Sequence, residues 1–434
     1  MRIAVIGSGI SGLGAAWLLS QQHDVTVFEK QERIGGHANT VTAQFGDKSV
    51  PVDTGFIVYN ELNYPNLIGL FEALNVDTIG SEMSFSVSLR DKQVEYEGSL
   101  KGLTAQKRNL LSPRYWSMLN GLRKFYANAY RFAQETDPQE SLGDFIKKHG
   151  FSEAFITDHL LPMGAAIWSC PVERMMAFPA RSFIQFMENH KLLNYIDRPV
   201  WRTVAGGSRS YVKKICDALG DKIVTNATIT NVTRGSSGVT ISLAGEGDIY
   251  FDKVIMAAHA DESLALMGDA SVQERDILSC FQFQPNRVIL HSDPALMPQH
   301  KAVWAAWNYL TSARSTGDLS VTYWMNKLQS IDNQTPLFVT LNPFDEPNSE
   351  LIHQEFSYDH PIFDGPAISA QEKLETIQGM NHIYWAGAWT KYGFHEDGLS
   401  SAVRIVKSLG VDIPWESPSQ PWHAPFDELQ KQEA

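Results

Sequence analysis

Gly7, Gly9 and Gly12 stand at the spacing G-x-G-x-x-G, a pattern whose chemistry is the cradling of a diphosphate by bare backbone. The first glycine permits a tight turn, the second lets the anion approach, and the third lets a helix pack closely. Ile10 and Ser11 lead into that helix, whose free N–H groups and dipole favour an anion at its start. Glu29 lies 22 positions after Gly7, where a carboxylate accepts hydrogen bonds from ribose hydroxyls and repels a 2′-phosphate. Lys30 adjoins it, and Arg33, Gly35, Gly36 and His37 follow. This second glycine-rich turn offers more bare backbone to a diphosphate and points to FAD rather than NAD. Thr54 and Gly55, within Asp53 to Phe56, follow a strand-like stretch and are expected to bring the chain back beside the cofactor.

A second group of candidates lies near the end of the sequence. Ile383 to Ala386 reads as an apolar strand leading to Gly387 and Ala388, and Gly398, Leu399 and Ser400 open a helix expected to run to Val406. Its N-terminus is positioned to stabilise negative charge on a reduced flavin ring. Between them, Gly393 to Asp397 reads as a polar loop, with His395 and Glu396 as the candidate catalytic pair; helix capping by Glu396 or Asp397 is the alternative reading. Candidate substrate contacts are Asn308, Tyr309, Trp324 and Asn326, polar groups set among aromatics as in an apolar small-molecule site. His190 and His259 read as structural.

The elements that must position these residues follow a simple order. Ile3 to Ile6 is a short continuous apolar run, as expected of a parallel strand covered on both faces. A helix from about Gly12 to Ser20 and a strand from Val25 to Phe28 complete a βαβ unit. Gly206 and Gly207 precede another helix, and strands are expected near 223–232, 239–243 and 254–258. The fold class is therefore α/β, with a Rossmann-like FAD-binding domain of the glutathione-reductase type and a discontinuous α+β substrate domain. Residues 1–60, 201–265 and 371–415 are assigned to the first, 61–200 and 266–370 to the second, and 416–434 to a C-terminal tail.

A chain of 434 residues exceeds what one core usually serves. The net charge of −13 argues against a nucleic-acid partner. Cys170, Cys216 and Cys280 are too scattered for a disulfide framework or a zinc site, so no metal is expected. With no leader-like N-terminus and no apolar run long enough to span a bilayer, a cytoplasmic location is expected. From Lys101 to Arg131 there are seven Lys and Arg and no Asp or Glu. That stretch could hold the protein peripherally on the inner membrane face, where an apolar substrate would enter; a solvated helical face is the plainer alternative.

Gly7, Gly9, Gly12, Glu29, Arg33, Gly35 and Gly36 together resemble the signature of the flavin-containing amine oxidoreductase superfamily, which includes monoamine oxidases, protoporphyrinogen oxidases and carotenoid desaturases. Two positions depart from it: His37 stands where Arg is common, and Ala388 where an acid is common. The strings PMGAAIWS, AGGSRSY, LHSD, AAWNY and FHEDGLSSA further resemble bacterial FAD-binding proteins associated with cyclopropane-fatty-acyl synthases. The resemblance implies an FAD-dependent oxidoreductase taking a hydride from a substrate C–H, on a lipid or fatty-acyl substrate, with a lipid-modifying enzyme as partner. An amine oxidase, a redox-neutral flavin isomerase and a non-catalytic flavoprotein partner remain open. Lys327 has no clear match to the flavin-adjacent lysine of amine oxidases, which weakens the first of these.

Overall fold

The structure is a computed structural model that describes residues 1–89, 93–168, 172–194, 199–312 and 320–416. Ser169, Cys170 and the tail beyond residue 416 lie outside the described residues. Five parallel strands form the nucleotide-binding sheet in the order Ile223–Val224, Asp24–Phe28, Arg2–Ile6, Lys253–Met256 and Ile383–Trp385. The register aligns Val224, Phe28, Ile6, Met256 and Trp385. The turns after Ile6, Phe28 and Trp385 therefore emerge along one edge, where open α/β sheets bind their ligands.

The apolar run Ile3 to Ile6 is continuous because both faces are covered. Ile3 and Val5 pack with Leu13, Tyr211, Ile215, Leu399 and Val403, from the helices Ile10–Leu19, Arg209–Leu219 and His395–Ser408. Ala4 and Ile6 face the other way, onto Val232 and Ile241 of a three-stranded antiparallel sheet and onto Ile277, Leu278 and Ala367. Alternating side chains thus serve two different cores.

Packing divides the chain differently from the sequence-based boundaries. Leu67, Leu70 and Phe71 of the helix Pro65–Ala73 belong to the first of these cores, and Ile277 and Leu278 of the helix Val272–Leu278 to the second. Boundaries at residues 60 and 265 therefore cut through packed units. An amphipathic pattern says that a helix buries one face, not against which layer.

A seven-stranded sheet joins the remaining two blocks. Its order is Ile352–Pro361, Phe283–His291, Phe338–Leu341, Ser320–Trp324, Trp307–Leu310, Phe85–Leu89 and Val94–Glu97, and among the described residues the one parallel pairing couples Trp307–Leu310 to Phe85–Leu89. One face carries a helical layer that includes Pro113–Gln134, Leu161–Trp168 and Ala180–Asn189. Phe125, Phe145, Phe155, Phe183 and Phe186 fill the space between helices and sheet. Among the described residues no helix is long and apolar enough to cross a membrane.

Asp53 ties these parts together. Its buried carboxylate accepts from Thr40 Oγ1 (2.6 Å), Ser208 N (2.9 Å), Ser208 Oγ (2.7 Å) and Gln329 Nε2 (2.9 Å), while Asp53 N donates to Gln329 Oε1 (2.8 Å). Gly207 has φ +88°, and a Cβ there would lie 2.4 Å from Thr40 and 3.1 Å from Asp53, which explains the glycine in AGGSRSY. Burial pushes the Asp53 carboxyl up to about 6, against hydrogen bonds that pull it down. In the unfolded chain it titrates near ~4, so the folded state binds the extra proton between these values and this contribution to stability is lost as pH rises through about 6. Asp53→Asn is expected to cost about 2 kcal/mol by stranding buried donors. It should also remove that slope, as read from urea unfolding near pH ~4 and pH ~7.

Candidate active site

The first glycine turn is closed by contacts that leave one side bare. A Cβ on Gly7 would sit 2.6 Å from Ala257 O, and one on Gly12 only 1.9 Å from Gly7 O. A Cβ on Gly9, whose φ is −67°, would meet nothing within 4 Å. The protein itself therefore does not require glycine at position 9, whereas an anion lying on the helix N-terminus does.

Glu29 is fixed at the end of its strand. Its Oε2 accepts from Ser8 N (3.0 Å) and Ser8 Oγ (2.6 Å), and Oε1 from Gln31 N (2.9 Å). Ser8 also accepts from Gly35 N, at 3.2 Å to Oγ, so one hydroxyl couples the acidic residue to the second glycine turn. Sequence reasoning missed Ser8. Its signal was its place between Gly7 and Gly9, from which a side chain reaches the neighbouring strand's end.

The second turn is shaped by Gly35 (φ +117°) and Gly36 (φ +57°), and a Cβ on Gly36 would lie 3.0 Å from Gly9 Cα. Arg33 Nη1 donates to Gly36 O (2.8 Å) and closes the turn. Phe56 N donates to His37 O (2.8 Å) and Thr54 N to Asn39 O (2.9 Å), so Asp53 to Phe56 does return beside it. A Cβ on Gly55 would meet His37 O at 2.2 Å. The Thr54 hydroxyl is occupied by Tyr358 OH (2.7 Å) and Asn39 O (3.2 Å). Lys30 turns outward to pair with Glu262, which directs it away from a ligand contact. His37 stacks against Tyr358 and His360. Burial holds it neutral, and its Nε2 has no protein partner, leaving one polar atom for a ligand in the turn where an arginine was expected.

The C-terminal motif meets the first one directly. A Cβ on Gly398 would lie 2.8 Å from Ser11 Oγ and 3.0 Å from Ile10 Cγ2, and one on Gly14 would lie 2.5 Å from Leu399 Cδ1. The N-termini of the helices Ile10–Leu19 and His395–Ser408 therefore share one place at the sheet edge. Ser401, not Ser400, faces Gly387: it accepts from Gly387 N (3.0 Å) and donates to Gly398 O (2.6 Å). Ser400 accepts from Asn66 Nδ2 (3.0 Å). One residue along a helix rotates a side chain by about 100°. Ala388 contributes backbone, accepting from Gly393 N (3.1 Å).

The expected polar loop is the first turn of a helix, His395–Ser408. Asp397 Oδ2 accepts from Phe394 N (3.0 Å), a capping contact that starts the helix three residues early. Glu396 accepts from Asn66 N (3.0 Å), Asn66 Nδ2 (2.8 Å), Leu67 N (2.9 Å) and Ser400 Oγ (3.1 Å). It caps the helix Pro65–Ala73, and the capping reading replaces the catalytic one. His395 stacks on Phe56 with ring centroids 3.8 Å apart, and its Nε2 shares a hydrogen bond with Tyr211 OH (2.8 Å). Burial lowers its pKa to about 3, which makes it a poor base near neutrality.

Of the proposed substrate contacts, strand alternation decides the outcome. Asn308 pairs with Ser86 and Thr322 on one face of the seven-stranded sheet. Its amide is occupied by Ser86 Oγ, Ala305 N, Ala305 O and Thr322 O. Asn326 is likewise occupied by Asp332 O, Thr335 O and Leu337 N. Trp324 packs edge-on to Trp304 and under Lys327. These three are structural braces rather than convergent site groups. Tyr309 lies on the other face, buried among Val87 and Val321.

That other face also carries Trp307 and Tyr323, which were not among the candidate residues. Trp307 and Tyr323 pack edge to face, 5.1 Å apart, and Trp307 Nε1 is buried without a partner. With Phe85, Tyr392 and Phe394 they are among the half-buried residues packed against the helix–sheet core. Phe394 stacks on Phe186 (5.0 Å), and Phe186 on His190 (4.0 Å). Burial lowers His190 to about 4 and raises the Tyr392 phenol. Phe394 directly precedes His395, and Lys391 Nζ lies 5.7 Å from the Tyr392 ring centroid.

Gly9→Ala should leave the melting of the cofactor-free protein unchanged yet lower retained FAD at least about tenfold, a loss of ~1.4 kcal/mol. Gly12→Ala should destabilise the protein itself by about 1–3 kcal/mol through overpacking. A fully yellow Gly9→Ala preparation would sink the assignment of that open side. Glu396→Gln should lose about 1–3 kcal/mol of stability, because its amide keeps one acceptor oxygen for Asn66 and turns an NH2 toward the Leu67 N–H, while flavin content stays at the wild-type level.

Comparison with known proteins agrees with this geometry. The family described as flavin containing amine oxidoreductase matches residues 10–285. A Mycobacterium tuberculosis protein carrying the name of a flavin-containing monoamine oxidase, AofH, is 21% identical over 355 residues, covering 78% of this chain and 70% of that one. A 40-residue stretch is 55% identical to 4,4'-diapophytoene desaturase of Staphylococcus aureus, covering 9% of this chain and 8% of that one. The solved CLA-producing fatty acid isomerase from P. acnes superimposes with a TM-score of 0.67 at 17% identity, covering 94% of this chain and 99% of that one, a likeness of fold. The chain belongs to the flavin-containing amine oxidoreductase family, and its cofactor is FAD.

Proposed function

We propose that this FAD enzyme oxidises an apolar, long-chain substrate of the lipid or fatty-acyl class. The observation that carries the reading is the aromatic wall of Phe186, Tyr392 and Phe394 beside His395, in the core that also holds Phe85, Trp307 and Tyr323. Such a wall desolvates a hydrocarbon at little cost, whereas an ammonium group buried against it would need a carboxylate partner. The carboxylates nearest in sequence, Glu396 and Asp397, are both occupied by backbone N–H groups. Lys327 is paired with Glu82 at 2.5 Å, beside Trp324, which also speaks against a flavin-adjacent lysine.

Bound FAD supplies the hydride acceptor for a substrate C–H. The protein's part is to hold cofactor and substrate in place. The backbone at Gly9, Gly35 and Gly36, with Glu29 and Ser8, would hold the diphosphate and ribose, and the start of the His395–Ser408 helix favours negative charge beside it. His395, fixed between Phe56 and Tyr211, is a positioning residue, and the proton released on forming a double bond passes to solvent.

Similarity to the desaturase and the fatty acid isomerase supports the lipid reading, and similarity to the monoamine oxidase an amine reading. Anaerobic mixing with candidate substrates separates them. Long-chain unsaturated fatty acids or acyl lipids are expected to bleach the flavin, and aliphatic amines are not. Bleaching by amines alone would overturn the proposal; lipid conversion that requires prior reduction of the flavin would assign a redox-neutral isomerase instead.

A further inference from the structure

We propose that residues 100–131 form an anionic-bilayer docking surface, led by a hydrophobic cap at 100–116. Leu111 (87%) and Leu100 (85%) are the two most exposed large apolar side chains among the described residues, and Trp116 is 54% exposed. They sit on three successive turns: the helix Leu100–Leu103, the short helix Lys107–Leu111 and the start of the helix Pro113–Gln134. These turns are anchored rather than loose. Tyr115 OH donates to Leu103 O (2.9 Å), Trp116 Nε1 to Leu110 O (2.9 Å) and Asn109 Nδ2 to Glu95 O (3.0 Å). The leucines are thus held outward by a fixed backbone.

The charge around them has one dominant sign. Lys101, Lys107, Arg108, Arg123 and Arg131 are exposed, Arg108 donating to Gln93 O and Arg131 to Asn128 Oδ1 (3.1 Å), while Arg114 pairs with Asp158 (2.7 Å) and Lys124 donates to His149 O (2.6 Å). Trp116, Arg123, Ala127 and Arg131 follow one another along the outer side of the long helix. The acids nearby include Glu97, which accepts from Ser99 N, Glu153, 3.7 Å from Arg114, the buried Glu95 and Asp158, and Glu135 at the far end of the long helix. A basic, apolar and indole-bearing cap on a chain of net charge −13 matches the chemistry of an anionic bilayer. Leucines enter the acyl boundary, indole lies at headgroup level, and lysines and arginines meet lipid phosphates. An acidic protein surface would satisfy the charges but not the protruding leucines. The inner side of the same helix supplies Phe125 and Ala129 to the core that also holds Phe186, so the docked face lies over the helical layer of the substrate domain. The inference does not depend on which substrate is oxidised.

The test is co-sedimentation of the full-length FAD-loaded protein with vesicles of phosphatidylcholine alone and with added phosphatidylglycerol. Binding is expected to rise about tenfold with the anionic lipid and to fall at high salt. Leu100→Ser with Leu111→Ser, and separately Lys101→Glu with Lys107→Glu, should each lose about tenfold in vesicle binding while flavin spectrum and melting temperature hold. Equal binding to both vesicle types, or vesicle binding unchanged in both variants, would overturn the proposal. So would binding of poly-glutamate as tight as that of phosphatidylglycerol vesicles and untouched by the leucine substitutions, which would assign an acidic protein partner.

Discussion

Everything in the site depends on two helices starting at the same place. The helix Ile10–Leu19 can approach the first strand only because Gly12 lacks a Cβ that would strike Gly7 O, and the helix His395–Ser408 can cross it only because Gly14 receives Leu399 and Gly398 receives Ser11 and Ile10. These contacts bring two sets of free N–H groups to the C-terminal edge of one parallel sheet. A flexible chain could not hold two like dipole ends together in water. The buried packing of Leu13, Leu399 and Val403 against Ile3 and Val5 holds them there.

Around this crossing, buried acids fasten segments that are distant in sequence. Asp53 joins the strand after the second glycine turn to the start of the Arg209–Leu219 helix and to Gln329. Glu396 joins the last helix to the start of Pro65–Ala73. Each carboxylate collects backbone and side-chain donors that would otherwise be buried unpaired. The acids in the C-terminal motif act chiefly as architecture, and chemistry is left to the cofactor.

The substrate side is built on the opposite principle. Its sheet turns a polar ladder of Ser86, Asn308, Thr322 and Thr340 to one face and an aromatic surface of Trp307, Tyr309 and Tyr323 to the other. The ladder specifies register, because a slip by one residue would put amides into the aromatic core. The aromatic face shares one apolar core with Phe186 and Phe394.

The nucleotide-binding half was legible in the sequence because its constraints are local. A bare-backbone turn, a helix start and a strand-end acid occur within thirty residues, where Gly7 and Gly12 pack the first turn, Glu29 is tied to Ser8, and Gly35 and Gly36 shape the second turn. The parallel strands Arg2–Ile6, Asp24–Phe28 and Ile383–Trp385 also followed from their apolar runs. What sequence could not decide were matters of direction and partner. Glu396 and Asp397 looked equally suited to chemistry and to capping until the backbone N–H groups they serve were in place. Asn308 and Trp307 are adjacent in sequence, yet the two-residue period sends one into a hydrogen-bonded ladder and the other to the aromatic wall. Only the tertiary structure says which face meets which layer, because a side chain's surroundings are set by strands and helices hundreds of residues away.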